Sequence, residues 1–196
     1  MKQYSLSQLV YLIYCKIRTY LTFSKARIIR FPMDIRGKKF IEIDHGFTTG
    51  VGCRIEAYPQ ENDKTLFIGK NFQMNDYVHI TAAKSVKIGN NVLMASKIYI
   101  SDCSHGSYAG NEHDSHPDTA PDQRPLFSKP VVIEDNVWLG EFVSVLPGVT
   151  IGKGTIVGAN SVVSKSLPPY VIAVGSPAKP IKQFNFDTQR WEKYVN

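Results

Sequence analysis

IEDNVWLGEFVSVLPGVTIGKGTIVGANSVV, residues Ile133 to Val163, returns an apolar residue at every sixth position: Ile133, Leu139, Val145, Ile151, Val157 and Val163. Four positions after each of the first five stands a second, smaller candidate for the interior: Val137, Val143, Val149, Thr155 and Ser161. A helix of about 3.6 residues per turn has no use for a period of six, because successive members would fall on opposite faces. A plain strand alternates every second residue, which is too short a beat. What fits is a short strand, a tight turn, another short strand and another turn, with Gly140, Gly148, Gly152, Gly158 and Asn160 supplying the turns. Such a chain winds into a solenoid whose coils bury each other's apolar faces.

The same beat runs outward from that stretch toward the N-terminus. It starts loosely at Ile43, Thr49 and Ile55, breaks at a polar segment from Pro59 to Lys64, and sharpens at Ile68, Met74, Ile80 and then Ile88, Met94, Ile100. Phe72, Val78, Val92 and Ile98 take the secondary inward positions, and the step from Ile80 to Ile88 leaves two residues to bulge. Three beats close one triangular coil of about eighteen residues around an apolar prism. Between Asp102 and Pro130 the pattern stops, since Ser, Asp, His and Pro cannot fill a prism. A long insertion inside a compact domain is usually functional. The beat resumes without a fault after Pro130, so residues 102–130 are an excursion from one corner of the coil. Pro168, Pro169, Pro177 and Pro180 end the solenoid, and a short closing helix is expected from Asp187 to Val195.

At 196 residues with 43% apolar content the chain makes one domain with a real core. Of its 23 Lys and Arg, six (Lys2, Lys16, Arg18, Lys25, Arg27 and Arg30) precede the first acid, Asp34, which leaves 17 basic against 17 acidic residues in the remainder. The formal excess of +6 therefore sits at the N-terminus. That argues against a nucleic-acid partner for the body, which would need a basic stripe with interleaved aromatics on the folded surface. Cys15, Cys53 and Cys103 are odd in number and widely spaced, suggesting neither a disulfide framework nor a zinc knuckle, and a reducing compartment.

Ser5 to Phe23 reads as a helix with Leu6, Leu9, Val10, Ile13, Ile17 and Leu21 on one stripe, Lys16 and Arg18 off it, and Ser5 or Ser7 as cap. It is too short and too charged to span a bilayer and has no small-residue cleavage site. The stripe is read first as a cap on the open end of the solenoid; interfacial membrane contact is the alternative, and an organellar transit peptide ranks below both. The expected organisation is a helix and lead-in over 1–39, a solenoid over 40–181 with the protruding loop 102–130, and a tail with a helix over 182–196.

Several phrases then resemble the hexapeptide-repeat acyltransferases: IGKNFQMNDYVHI at Ile68 to Ile80, ISDCSHG at Ile100 to Gly106, the opening stretch, and VIAVGSPAKPI at Val171 to Ile181. Within that family the whole chain, with RIIRFPMDIR at Arg27 to Arg36 and the RWEK ending, is most similar to bacterial O-acetyltransferases that decorate lipopolysaccharide and capsule sugars. The resemblance implies an all-β fold, a parallel left-handed β-helix, in place of the right-handed sense usual for parallel crossovers. It implies acetyl-CoA as cosubstrate, a saccharide hydroxyl as acceptor, three chains around a threefold axis with each site between two of them, and a cytoplasmic location. If the N-terminal helix meets the membrane's inner face, the acceptor is lipid-linked.

A hydroxyl is a poor nucleophile until a base takes its proton, and histidine suits that task at neutral pH. The resemblance puts the base at His105, at the root of the excursion. Relatives often carry another His two residues earlier, where this chain has Cys103; an acyl-accepting Cys is the covalent alternative, without a neighbour that would depress its thiol pKa. Asn75 and Asp102 are expected on the acceptor side. Asn75 either holds the sugar or the oxyanion, or is a turn residue tolerating left-handed dihedrals. Trp138, next to an inward Val137, points outward, and the resemblance makes it a wall beside the acetyl end of the cosubstrate. Gly140, Glu141 and Ala159 are expected along the pantetheine path, and Lys165, Lys179 and Lys182 at the phosphates.

No metal is expected. His113 and His116, with Glu112 and Asp114, lie in a Pro-rich excursion, unlike the coil-face histidines of the related solenoid carbonic anhydrases. Two other functions stay open on sequence: N-acetylation of an amino sugar on a nucleotide, and a non-catalytic β-helix scaffold.

Overall fold

The structure, a computed structural model, describes residues 4–59 and 63–195; Lys2 and residues 60–62 of the polar break lie outside the described residues. Three sheets of parallel strands carry the coil. The first stacks Ile41–Ile43, Leu66–Ile68, Val86–Ile88, Val131–Ile133 and Thr150–Ile151. The second stacks Thr48–Thr49, Gln73–Met74, Leu93–Met94, Trp138–Leu139, Ile156–Val157 and Val171–Val174. The third stacks Met33–Arg36, Cys53–Ala57, His79–Ala82, Tyr99–Ser101, Ser144–Val145 and Val162–Val163. The chain visits them in constant order, which makes a triangular parallel β-solenoid.

The register shows why the beat is six. Ile68 pairs with Ile88, Ile88 with Ile133 and Ile133 with Ile151. Met74, Met94, Leu139 and Val157 form the second stack; Ile80, Ile100, Val145 and Val163 form the third. All of these side chains are buried, as are the secondary positions from Phe72 to Ser161. Because Ile88 pairs directly with Ile133, the excursion leaves and re-enters without shifting the coil. Near the top the prism turns polar: the Thr155 hydroxyl donates to the Pro168 carbonyl at 2.8 Å and the Ser161 hydroxyl accepts Gly175 N–H at 3.0 Å. These bonds tie the closing segment down. Parallel pairing begins earlier than residue 40, since Met33–Arg36 lies in register on Cys53–Glu56.

The N-terminal helix runs Leu6–Thr22, with Ser5 as N-cap and a reciprocal Ser5–Gln8 capping box. Its inner face is not the expected stripe. Tyr11 donates its hydroxyl to the Phe31 carbonyl at 2.7 Å, and buried Thr19 accepts Ile29 N–H at 2.7 Å. The lead-in from Ile29 to Phe31 carries backbone groups that need partners, and a face with hydroxyls supplies them where an all-aliphatic face could not. The cap reading is therefore corrected: Leu6, Leu9, Val10, Ile13, Ile17 and Leu21 all face away from the solenoid and are exposed.

The expected closing helix is also corrected. Lys179–Asn185 adds antiparallel to Val171–Val174, and Arg190–Lys193 adds antiparallel to it in turn. The last parallel strand would otherwise present an unpaired edge, and a hairpin covers it. Phe184 and Trp191, cross-strand partners, meet edge to face at 5.3 Å between centroids, and Phe186 packs on Tyr170 at 4.9 Å. Those aromatic pairs outweigh a short, weakly helical sequence.

Candidate active site

Asp102 makes the neck of the excursion. Its carboxylate accepts the backbone N–H groups of Ala83, Lys84 and Ser85 at 2.8, 2.7 and 2.7 Å. Its carbonyl takes the N–H of Lys129 at 2.8 Å. One residue thus satisfies the bulge between Ile80 and Ile88 and clamps both ends of the excursion. Asp102 is fully buried, at 0% exposure. The expectation that it contacts substrate is corrected, because both oxygens are occupied by donors that would otherwise be orphaned.

From this neck Cys103–His105 pairs antiparallel with Leu126–Ser128 and lifts His105 off the coil, opposite Leu126. Arg124 braces the base of the excursion, donating to the carbonyls of Thr119 and Pro117 and to the Tyr108 hydroxyl, which donates in turn to the His105 carbonyl. The His105 side chain is left exposed at a braced root. Cys103 is half-buried. Burial pushes its thiol up, the charges of Asp102 and Glu56 add to that, and a hydrogen bond with Ser101 only partly opposes it. A thiol that stays protonated at neutral pH is a weak nucleophile, which removes the chemical basis for a covalent Cys route.

A second constellation lies along the corner between the second and third sheets. Asn75, Ala95, Gly140 and Gly158 follow one another up that corner: Asn75 N–H bonds to Met94 O, Ala95 N–H to Leu139 O and Gly140 N–H to Val157 O. Asn75, Gly140, Glu141 and Ala159 are thereby brought onto one line. Asn75 is exposed and absent from the left-handed residues, which include Asn71, Asn91, Asn136 and Asn160, so it is not a turn-forming asparagine. Gly140 is explained by stacking: a Cβ there would stand 2.7 Å from Ala159 N. Trp138 faces outward from the adjoining second sheet, 48% exposed, in a row with Leu93 and Ile156. That row continues through Ile172 to Lys182, and Lys179 pairs with Val174 near the top of the corner.

Two expected residues stay apart from this line. Lys165 follows Val163 at the corner between the third and first sheets, which is also where the excursion to His105 departs. From Ala95 to Ser101 the chain crosses the third sheet, a distance of up to roughly 20 Å for extended backbone.

Sequence reasoning missed a third group, on the outer side of the third sheet. The nearly buried Glu56 carboxylate accepts from Arg54 Nε at 2.8 Å, Tyr58 Oη at 3.0 Å and Thr81 Oγ1 at 2.9 Å, and lies 3.0 Å from His79 Nε2. Burial alone would raise this carboxyl, but hydrogen bonds from His79, Arg54, Thr81 and Tyr58 outweigh it and hold the pKa at about 2. A carboxylate without a proton can only accept, so the proton between them belongs to His79 Nε2. Tyr99 packs on His79 at 5.5 Å. The pairing of Arg54 with His79 and of Glu56 with Thr81 follows from the Ile55–Ile80 register, the one signal that could have found the group.

His113 and His116 are exposed, each near its own acidic neighbour at 3.7 and 3.6 Å, while Asp114 holds the N–H groups of Ala109 and Gly110 in a turn. Among the described residues, no group of three or more His, Cys, Asp or Glu side chains is arranged to hold a metal ion.

Residues 130–165 match the family described as bacterial transferase hexapeptide (six repeats). The chain is 45% identical, over 98% of its own length and 96% of the relative's, to an Escherichia coli K12 protein, WbbJ, named as a lipopolysaccharide biosynthesis O-acetyl transferase. The chain belongs to the hexapeptide-repeat acetyltransferases. Among solved structures, this acetyltransferase superposes with a TM-score of 0.69 on an N-acyltransferase of Bacillus cereus, AntD, in complex with dTDP-4-amino-4,6-dideoxyglucose and coenzyme A. The match covers 94% of this chain and 92% of that one at 21% identity, a likeness of fold. A hexapeptide-repeat acetyltransferase of Vibrio cholerae, complexed with acetyl coenzyme A, matches at 25% identity and a TM-score of 0.54 over 86% of this chain and 77% of that one.

Proposed function

We propose that this acetyltransferase moves the acetyl group of acetyl-CoA to a hydroxyl of a saccharide in bacterial surface polysaccharide synthesis, with His105 as general base, direct transfer and no metal. The observation that carries this reading is the 45% identity to WbbJ along nearly the whole of both chains, which spans the excursion root as well as the coil. In the proposed step His105 takes the proton of the attacking hydroxyl as its oxygen bonds to the thioester carbonyl carbon. The Asn75 amide steadies the developing oxyanion. The carbon–sulfur bond then breaks and His105 returns the proton to the departing thiolate, so the step balances without a further reactant.

The chain's own residues fit the cosubstrate. The N–H groups of Glu141 and Ala159, at the corner with Gly140, make no hydrogen bond among the described residues, so they can meet pantetheine amides. Trp138 walls the acetyl end, and Lys179 and Lys182 stand where phosphates would reach; Lys165 is a more distant candidate. The unit is a left-handed β-helix acting as a homotrimer. The separation of His105 from the Asn75–Gly140 corner supports that, because the base of one chain would then face the corner and Trp138 of a neighbour. The enzyme works in the cytoplasm, on the membrane's inner face where the acceptor is lipid-linked.

The likeness of fold to AntD supports a second reading, N-acetylation of a nucleotide-linked amino sugar. Coenzyme A release with hydroxylated against amino-bearing acceptors separates the two. The proposal expects turnover on hydroxyls, lost in His105→Ala with acetyl-CoA binding retained; turnover on amines alone would reject it.

A further inference from the structure

The outward face of the N-terminal helix has no partner in the fold. Leu6 is 78% exposed, Val10, Ile13 and Ile17 61% each, and Leu21 75%, while Tyr14 and Tyr20 extend the same face at 48% and 72%. About 100° per residue puts Lys16 and Arg18 roughly a quarter-turn to either side of this stripe. Lys25 and Arg27, both exposed, follow directly after the helix, and no acid precedes Asp34. An aliphatic centre, tyrosines able to sit with ring in and hydroxyl out, and a one-signed basic border match a helix lying in a bilayer interface. No helix among the described residues is long and apolar enough to cross a membrane, so such a helix would lie on it.

We propose that this face docks the enzyme on an anionic phospholipid surface. Charge complementarity chooses lipid over a second copy of the chain: Lys16, Arg18, Lys25 and Arg27 are all exposed on or just after the helix with no acid among them, whereas from Asp34 onward 17 basic and 17 acidic residues offer another copy no net negative surface to meet them. The hydrogen bonds that Tyr11 and Thr19 make with the lead-in fix the helix through its other side, so docking needs no unfolding. Placing the active site beside a lipid-linked acceptor rests on the proposed function; the docking itself rests on the helix alone.

The test is flotation of the full-length protein with vesicles of phosphatidylcholine, with and without phosphatidylglycerol, alongside Val10→Gln/Ile13→Gln/Ile17→Gln and Lys25→Glu/Arg27→Glu variants. All five positions are solvent-facing, and melting curves confirm that each variant is folded. The expected result is binding to the anionic vesicles that weakens with salt and falls about tenfold or more in each variant. Absence of wild-type binding at low salt, wild-type binding by the apolar variant, or a changed oligomeric mass in that variant without a change in flotation would overturn the proposal. Acetyl-CoA turnover in the absence of vesicles is unaffected by that outcome, so the two proposals fail separately.

Discussion

Replacing Asp102 by Asn separates a structural carboxylate from a chemical one. The side chain accepts three backbone N–H groups at 2.7 to 2.8 Å with no exposure to water. Hydrogen bonds to a charged acceptor contribute about 1.5–3 kcal/mol each, and they are not additive. An amide keeps one good acceptor and turns an NH2 toward the remaining donors, so a loss of roughly 3 kcal/mol is expected. In a domain of this size each kcal/mol moves the melting temperature by about 2–4 °C, giving a drop of about 6–12 °C by calorimetry. His105 stands three residues beyond the neck, so a loosened root should also lower kcat about tenfold to a hundredfold, with KM for acetyl-CoA nearly unchanged. A variant that melts within about 1 °C of wild type yet loses activity would refute the neck and return Asp102 to the chemistry.

His105→Ala should lower kcat by about 10²–10⁴-fold while acetyl-CoA binding by calorimetry stays within a factor of about two. Trp138→Ala, at a half-exposed outward position, should leave the melting temperature nearly unchanged and raise KM for acetyl-CoA about tenfold in steady-state kinetics. Glu56 is held at about 2 against an ordinary 4.5, so its stabilisation is present above about pH 4.5 and is lost as pH falls toward 2. That depression corresponds to about 3 kcal/mol, and urea unfolding of Glu56→Gln should fall below wild type by about that much at pH 6 and converge with it near pH 2. Light scattering should give about three times the 22.0 kDa chain mass; a monomer with an intact rate would contradict the shared site.

The coil was legible because burial imposes one residue type at one spacing: Ile133, Leu139 and Val145 each head a stack seen in the register. The outward direction of Trp138 followed from the same beat. What period could not show was the use of polar atoms. Asp102 reads as a loop acid until its three donors are seen, and Glu56 with His79 requires the inter-coil register, since 23 residues separate them. The N-terminal helix was legible as a helix, but amphipathicity does not say what covers the apolar side; hydroxyls at Tyr11 and Thr19 decided which face turned inward. At the C-terminus the open edge of Val171–Val174, a tertiary feature, overrode local helical spacing.

The most direct test is the chemistry of the transferred acetyl. Surface polysaccharide from cells with and without the protein, compared by mass spectrometry before and after mild alkali, should differ by one acetyl that alkali removes, as an ester requires. Wild type should restore it and His105→Ala should not. A missing acetyl that survives alkali in the wild-type sugar, as an amide would, or restoration by His105→Ala, would contradict O-acetyl transfer by this histidine.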